Sequence, residues 1–184
     1  MGLDGEMYLE LQDTEWPYTG IDHDREIVRA VVLDNDRRFW FVRAERDDEF
    51  GRARLIETSG GGVEPGEDLR AALLRELKEE LGIEAEILCY IGLVSDYYNL
   101  IRRHNLNHYF LCRVRSQGER HLTKDEAETF HLSTLRLSYE KAVSEYEACR
   151  NSRLGRLIAQ RELPVLRQAI VLLEQMRLGD GVDF

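Results

Sequence analysis

Short runs of apolar and β-branched residues, separated by polar turns, recur along most of the chain and predict β-strands. The alternation is weak in the first run, which is typical of an edge strand, and strong in EIVRAVVL at residues 26–33. The triplet Asp34-Asn35-Asp36 indicates a hairpin turn between the second and third runs. The predicted strands are Met7 to Leu11, Glu26 to Leu33, Arg38 to Ala44, Leu55 to Thr58, Glu86 to Val94, Asn107 to Val114 and Thr129 to Leu135.

Two polar segments between these runs are predicted to be loops. The first covers Asp47 to Arg54 and the second covers Ser95 to Asn105. The second is too long for a simple hairpin turn, and long loops in compact domains often carry function.

A period of 3.6 residues predicts helices in three places. The first follows Asp68, a plausible N-cap, and ends before Gly82, which suits the left-handed position after a last turn. Its apolar stripe is Leu73, Leu74, Leu77 and Leu81. Two more helices cover Ser138 to Cys149 and Leu154 to Met176, with Pro164 marking a break or kink in the last one.

Strands, one helix, more strands and then helices do not follow the regular alternation of a doubly wound sheet. The order indicates an α+β protein with a mixed sheet between helices. With 184 residues, the chain is expected to form one domain over 1–184, in which about 139–184 is a C-terminal helical extension.

Composition narrows the classes of partner. The net charge of -10 argues against a DNA or RNA polymer as partner. No apolar run is long enough for a membrane span, and the acidic N-terminus lacks the layout of a signal peptide. Three isolated cysteines fit neither a disulfide framework nor a zinc site, so a cytoplasmic location is expected. A homodimer is compatible with these features.

Candidate chemistry is concentrated in the first predicted helix. Glu76, Glu79 and Glu80 lie at positions i, i+3 and i+4, close to one face, where like charges repel unless something neutralises them. A divalent cation with oxygen ligands does this well, and the glycine-rich stretch before the helix lets backbone approach a metal or phosphate. The segment therefore predicts a Mg²⁺ site, which Mn²⁺ could also occupy.

The complete spacing resembles the Nudix box, G-x5-E-x7-R-E-U-x-E-E-x-G-U, where U is a bulky aliphatic residue. The pattern is filled without a gap at residues 61–83, by Gly61, Glu67, Arg75, Glu76, Leu77, Glu79, Glu80, Gly82 and Ile83. The resemblance implies a Nudix-type α/β/α sandwich that holds Mg²⁺ and hydrolyses a pyrophosphate linkage. The substrate would be a nucleoside triphosphate or a nucleoside diphosphate linked to another moiety.

Roles within the box follow from that resemblance and from helix spacing. The acids Glu76, Glu79 and Glu80 would hold the metal, and the Gly61 carbonyl is implied as a further ligand. Arg75 can reach Glu79 at i+4, or Glu67 in the loop, and would orient a carboxylate.

The proton acceptor is less clearly marked. Nudix proteins often carry an extra acid in a loop before the last strand of the sheet, and residues 124–135 resemble that segment. Asp125, Glu126 and Glu128 are the candidates there, and Glu126 is preferred by its distance from the following strand. If Glu126 is not the base, Glu79 takes that role.

Substrate contacts are predicted outside the box. Arg43 and Arg46 follow a strand that should run toward the site and could bind phosphate. Tyr97 and Tyr98, together with Trp16 and Tyr18, are candidates for stacking on a base. The predicted loop Ser95 to Asn105 adds a basic trio, Arg102, Arg103 and His104.

The identity of the substrate is not encoded in the box. Some Nudix subfamilies carry a characteristic residue at a fixed distance after the box. The diadenosine-polyphosphate type has Tyr where this chain has Leu100, and the ADP-ribose type has Pro where this chain has Asn99. Two alternatives to hydrolysis stay open. A catalytically silent nucleotide sensor usually loses acids from the box, and an isoprenoid isomerase needs a histidine-containing metal cluster.

Overall fold

The computed structural model describes residues 6–122 and 132–180, and this part of the chain forms eight strands and three α-helices. The strands are β1 (Met7–Leu11), β2 (His23–Leu33), β3 (Phe39–Asp48), β4 (Gly51–Glu57), β5 (Ser59–Gly62), β6 (Ile83–Tyr98), β7 (Arg103–Gln117) and β8 (Ser133–Leu137). The helices are α1 (Leu69–Leu81), α2 (Tyr139–Cys149) and α3 (Arg153–Asp180).

All eight strands belong to one mixed sheet, with the order β1-β6-β7-β2-β3-β4. The β1–β6 and β2–β7 pairs are parallel, whereas β6–β7, β2–β3 and β3–β4 are antiparallel. The glycine strand β5 pairs with β2, and β8 pairs with β3. The predicted mixed sheet is confirmed.

The two faces of the sheet are covered by different helices. Alternate residues of β2 point to opposite sides, so Val28, Ala30 and Val32 pack against α1 while Val31 packs against α2 and α3. The predicted α/β/α sandwich is therefore confirmed. Within α1 the buried stripe contains Leu73, Leu77 and Leu81, but Leu74 is 40% exposed, so its inclusion in that stripe was wrong.

The ends of α1 follow the sequence signals. The Asp68 carboxylate accepts hydrogen bonds from the backbone N–H groups of Arg70 and Ala71, at 3.1 and 3.3 Å. Gly82 has φ of 65°, a conformation that glycine adopts without strain. These caps fix where α1 begins and ends, and therefore where its acidic side chains lie.

Both predicted loops were wrong. In place of a loop from Ser95 to Asn105, β6 runs to Tyr98, a short 3-10 helix covers Asn99–Ile101, and Arg102 turns at φ of 52° into β7. Several polar residues of this hairpin are buried and form hydrogen bonds. A pattern of hydrophobic residues therefore does not reveal these strands. In place of a loop from Asp47 to Arg54, a two-residue turn joins β3 to β4.

The last helix is longer than predicted and continuous. α3 runs from Arg153 to Asp180 with Pro164 inside it, so the helix is not broken there. The predicted strand at Thr129 to Leu135 lies partly outside the described residues, and its second half overlaps β8. Of the helices in the described ranges, none combines the length and the apolar character that crossing a bilayer requires.

Candidate functional site

The glycine strand brings backbone close to the acids of α1. Gly60 lies against β2 at φ of 152°, and a Cβ there would stand 2.0 Å from the carbonyl oxygen of Val28. A Cβ on Gly61 would stand 2.4 Å from the carboxyl carbon of Glu76. Only glycine fits at position 60, where the clash is with backbone, and a side chain at position 61 would displace the Glu76 carboxylate from its place beside the strand.

Arg75 ties three acids of the box together. It donates to both oxygens of Glu67, from Nε and Nη2 at 2.9 Å each, in the forked geometry that suits a carboxylate. Its Nη1 donates to Glu76 at 2.7 Å and to Glu79 at 3.4 Å, and Nη2 also donates to the Gly62 carbonyl at 3.2 Å. The predicted contacts of Arg75 with Glu67 and Glu79 are both present.

Glu80 is held separately from that group. One of its oxygens accepts from the Ser59 hydroxyl at 2.6 Å and from the Gly60 backbone N–H at 2.9 Å. Glu76 and Glu80 are 8% and 6% exposed, whereas the Glu79 side chain is 37% exposed. Glu79 is therefore the most accessible of the three acids to solvent.

The charge balance of the box depends on Arg75. The hydrogen bond from Arg75 lowers the pKa of Glu67 to about 2, and the bonds to Glu67 raise that of Arg75. Across residues 6–122 and 132–180, no three His, Cys, Asp or Glu side chains are already gathered around a metal position. The guanidinium supplies the positive charge between the acids instead.

The residues present fit Mg²⁺ nonetheless. Their donors are carboxylate and carbonyl oxygens, the ligands that this cation prefers. The narrow cradle between Gly61 and Glu76, which a Cβ would fill, leaves backbone and carboxylate oxygens side by side. Glu126, the preferred candidate for the base, and its neighbours Asp125 and Glu128 lie outside the described residues.

A cavity of 380 Å³ opens beside these acids. Gly60, Gly61 and Glu80 form part of its wall, so it reaches the box directly. Four arginines line it as well: Arg25, Arg29, Arg46 and Arg103. In a chain with a net charge of -10, this concentration of guanidinium groups next to carboxylates makes the cavity suited to an anion. The predicted substrate residues Arg46 and Tyr98 line it.

Three predicted substrate residues lie elsewhere. Arg43 is paired with Glu145 of α2 at 2.7 Å, and Arg102 with Asp22 at 2.7 Å. Tyr97 stacks on His104, with ring centroids 4.5 Å apart. None of the three is among the residues that line the cavity. Tyr97 and Arg102 were grouped with the site because the hairpin was mistaken for a loop, in which neighbouring side chains need not alternate between faces. Arg43 was included because its strand was expected to run toward the site, but its side chain is directed to α2.

Beneath the cavity lies a buried polar network centred on Arg161 of α3, which is 1% exposed. Its Nη1 donates to Asp96 at 3.0 Å and to the Tyr98 hydroxyl at 2.8 Å, and its Nη2 donates to Glu57 at 3.2 Å. The neighbouring Glu162 accepts from three hydroxyls, those of Thr58, Tyr109 and Tyr146. The C-terminal helix thereby fixes the strands that carry the cavity.

Sequence reasoning missed most of the cavity wall. Asn105 was missed, although it lies two positions after Arg103 of the predicted basic trio, on the face of β7 that further along carries Tyr109 and Leu111. The spacing of two residues was the sequence signal that could have placed these side chains on one face of the sheet. It can be used only if residues 95–105 are known to form a hairpin and not a loop. Arg25 and Arg29 repeat the same spacing around Ile27 on the neighbouring strand β2.

Known proteins are similar to this chain in sequence and in fold. A family model described as the NUDIX domain matches residues 23–151, well over half of the chain. The CTP pyrophosphohydrolase of Escherichia coli (strain K12) is 44% identical over 67 residues, which cover 36% of this chain and 47% of that protein. The match therefore spans less than half the length of that relative.

Two further similarities are longer. The methanol dehydrogenase activator of Bacillus methanolicus is 30% identical over 135 residues, 70% of each chain. The solution structure of the E. coli ORF135 protein superposes with a TM-score of 0.58 and 25% identity, covering 85% of this chain and 95% of that one. With its intact box, its sandwich fold and the family match over residues 23–151, the chain belongs to the Nudix family.

Proposed function

We propose that the protein is a metal-dependent hydrolase that cleaves a pyrophosphate linkage. Its substrate would be a nucleoside triphosphate or a nucleoside diphosphate linked to another moiety. The observation that carries the proposal is that Gly61 and Glu80 of the box, with the preceding Gly60, line the same cavity as four arginines. Carboxylates for a cation and guanidinium groups for phosphate thus meet in one place.

The cavity has the size and charge for such a substrate. Its 380 Å³ lies within the range of about 300–1,000 Å³ that is typical of small-molecule sites. Arg25 approaches the glycine strand closely, since a Cβ on Gly62 would stand 3.0 Å from its Nη2. Arg25 is therefore placed to bind phosphate oxygens at the end of the cavity that borders the acids.

Glu76, Glu79, Glu80 and the Gly61 carbonyl would hold Mg²⁺, or Mn²⁺ in its place. When bound, the cation neutralises phosphate oxygens and lowers the pKa of a water molecule. In the reaction, water adds to one phosphorus atom, the bridging P–O bond breaks, and the second phosphate leaves. Arg75 would release part of its contact with Glu76 and Glu79 as the cation supplies the positive charge, while its forked pair with Glu67 keeps the helix and loop aligned.

A carboxylate must accept the proton that the attacking water loses. Among the described acids, Glu79 suits this role because it is the most exposed of the three acids of α1. Glu126 stays the rival. Comparing the pH–rate profiles of Glu79→Gln and Glu126→Gln separates them, because losing the base removes the acid limb of the profile.

The similar E. coli protein is a CTP pyrophosphohydrolase, so nucleoside triphosphates are the first compounds to test. The decisive experiment is a screen of nucleotides and nucleotide conjugates with Mg²⁺ that measures release of phosphate and pyrophosphate. Turnover that requires the cation and is lost in Glu79→Gln would support the proposal. Tight nucleotide binding without turnover by the wild-type protein would point to a silent sensor and contradict it.

A further inference from the structure

Two polar atoms of the cavity wall are buried and have no hydrogen-bond partner in the described part of the chain. They are Nε of Arg103 and Oδ1 of Asn105. The two residues are two positions apart on β7, so their side chains leave the same face of the sheet, about 7 Å apart. One is a hydrogen-bond donor and the other an acceptor, and buried groups of this kind are normally satisfied.

The orientation of the Asn105 amide is fixed by its surroundings. Its Nδ2 donates to Oδ1 of Asp96 at 3.0 Å, an oxygen that also accepts from Nδ2 of Asn107 at 2.9 Å. An ionised carboxylate only accepts, so the amide nitrogen must face Asp96 and the carbonyl oxygen must face away from it. Asp96 is in turn held by Arg161 at 3.0 Å, so Asn105, which is 1% exposed, is rigidly placed.

Arg103 is in an unusual electrostatic setting. Burial and the nearby positive charge of Arg25 lower the pKa of its guanidinium. Within the described ranges neither Arg25 nor Arg103 is paired with a carboxylate, and Arg103 instead lies over the ring of Tyr98, 5.6 Å from its centroid. A ligand that offers an acceptor to Nε would relieve this state.

The other residues that line the cavity narrow down which ligand, among those with both a hydrogen-bond donor and an acceptor, fits best. The same cavity is lined by apolar and aromatic side chains, from Ile27, Ala44, Phe50, Leu154 and Ile158. Such walls suit the flat faces of a heteroaromatic ring. Phosphate offers no donor for the Asn105 carbonyl, and a ribose ring carries hydroxyls on a non-planar, polar frame that these walls do not match.

We propose that Arg103 and Asn105 read the hydrogen-bonding edge of the substrate's nucleobase. Arg103 donates from Nε to a ring nitrogen or carbonyl oxygen, and Asn105 Oδ1 accepts from an adjacent amino or ring N–H group. The inference rests on the proposed hydrolysis of nucleotides and assigns its base specificity to these two side chains. The phosphates then lie toward Arg25 and the box.

The test uses the best nucleotide from the screen, the same compound with each of the other three bases, and inorganic tripolyphosphate, which has neither base nor sugar. Wild-type kcat/KM is expected to favour one base by at least about 10-fold. In Asn105→Ala and in Arg103→Gln, that preference should shrink to about 3-fold or less. In Asn105→Ala, hydrolysis of tripolyphosphate should stay within about 2-fold of wild type, because the neutral amide contacts no phosphate.

Asn107→Ala is the matched control. Asn107 donates to the same Asp96 oxygen, but its own Oδ1 already accepts from Arg29 at 3.0 Å, so it presents no free acceptor to a base. This variant disturbs the hydrogen bonds to Asp96 but leaves Arg103 Nε and Asn105 Oδ1 in place. It should keep the order of base preference even where its stability or overall rate falls.

A measurement on the unmodified protein covers the case in which Asn105→Ala does not fold. Methylating the donor N–H groups of the preferred base should lower wild-type kcat/KM by about 10-fold or more, whereas removing the ribose 2′-hydroxyl should leave it within about 3-fold. An unchanged rate with the methylated base, or a preference that follows the ribose, overturns the proposal.

Failure of this inference is distinguishable from failure of the proposed function. If no compound gives Mg²⁺-dependent release of phosphate or pyrophosphate, the hydrolase proposal fails and the inference falls with it. If release occurs but all four bases react alike, or the best substrate has no base, the hydrolase stands and the reading role of Arg103 and Asn105 is overturned.

Discussion

The Nudix box and the network around Arg161 are built from the same groups, guanidinium and carboxylate, in different settings. Arg75 of the box is 28% exposed and its partners come from residues 62–79. Arg161 is 1% exposed and its partners come from β4, β6 and the adjacent Glu162, up to 104 positions away in the chain.

That difference in exposure sets what each arrangement can do. Charges near water can change partners, because solvent compensates for a broken ion pair. Arg75 can therefore yield carboxylates to a cation during a reaction. A buried pair has no such compensation, and removing one partner leaves the other without solvation. The box is suited to chemistry, whereas the network around Arg161 holds the cavity in one shape.

The largest effect is expected when the buried network around Arg161 is disrupted. Arg161→Met should lower the free energy of unfolding by about 3–5 kcal/mol, because Asp96 and Glu162 lose a buried partner. Urea unfolding measures it. Arg167→Met, on the exposed side of the same helix, is the control and should stay within about 0.5 kcal/mol of wild type. Equal, small losses in both variants would mean that the network contributes little to stability.

The opposite result is expected from Glu79→Gln. It should lower kcat by at least ~10² through loss of the metal ligand and proton acceptor, with little change in melting temperature because the side chain is half-exposed. Glu84→Gln, at an exposed acid just past the helix, should keep full activity. Near wild-type turnover in folded Glu79→Gln would remove the box acid from the mechanism.

A smaller effect sharpens the role of Arg75. Lysine keeps the charge but cannot form the two parallel bonds to Glu67, so Arg75→Lys should weaken Mg²⁺ affinity or activity by about 10–100-fold. Arg70→Lys, on the exposed face of α1, is its control. The measurements are a Mg²⁺ titration of activity and direct binding by calorimetry. Unchanged values in Arg75→Lys would show that charge alone suffices.

The smallest effect concerns pH. The pKa of Glu67 is lowered to about 2, against 4.5 for an ordinary glutamate. Its contribution to stability is therefore fully present above pH 4.5 and is lost as the pH falls toward 2. The difference in melting temperature between wild type and Glu67→Gln should be largest near neutral pH and should shrink between pH 4.5 and 3. A constant difference over that range would contradict the pairing with Arg75.

The same contrast explains what the sequence could predict. Residue spacing alone predicted the positions of the box acids, Asp68 and Gly82, because they are close together in the chain. The layer architecture was predicted from the order of the strands and helices. Asp96 and Asn105 are buried polar residues in strands, and Asp96, which holds Asn105, is itself held by Arg161 more than 50 positions later. Hydrophobic alternation does not register such residues, so the hairpin was predicted as a loop and the cavity wall was missed.

The position of Arg161 also bears on where this domain ends. The NUDIX family match stops at residue 151, two residues before α3 begins at Arg153. A chain trimmed to that boundary would lack Leu157, Leu163 and Leu166, so the core residues that pack against them would be exposed, and Asp96 would lose its counter-charge. For engineering or for grafting the box onto another protein, we therefore expect that α3 must be kept together with the matched segment.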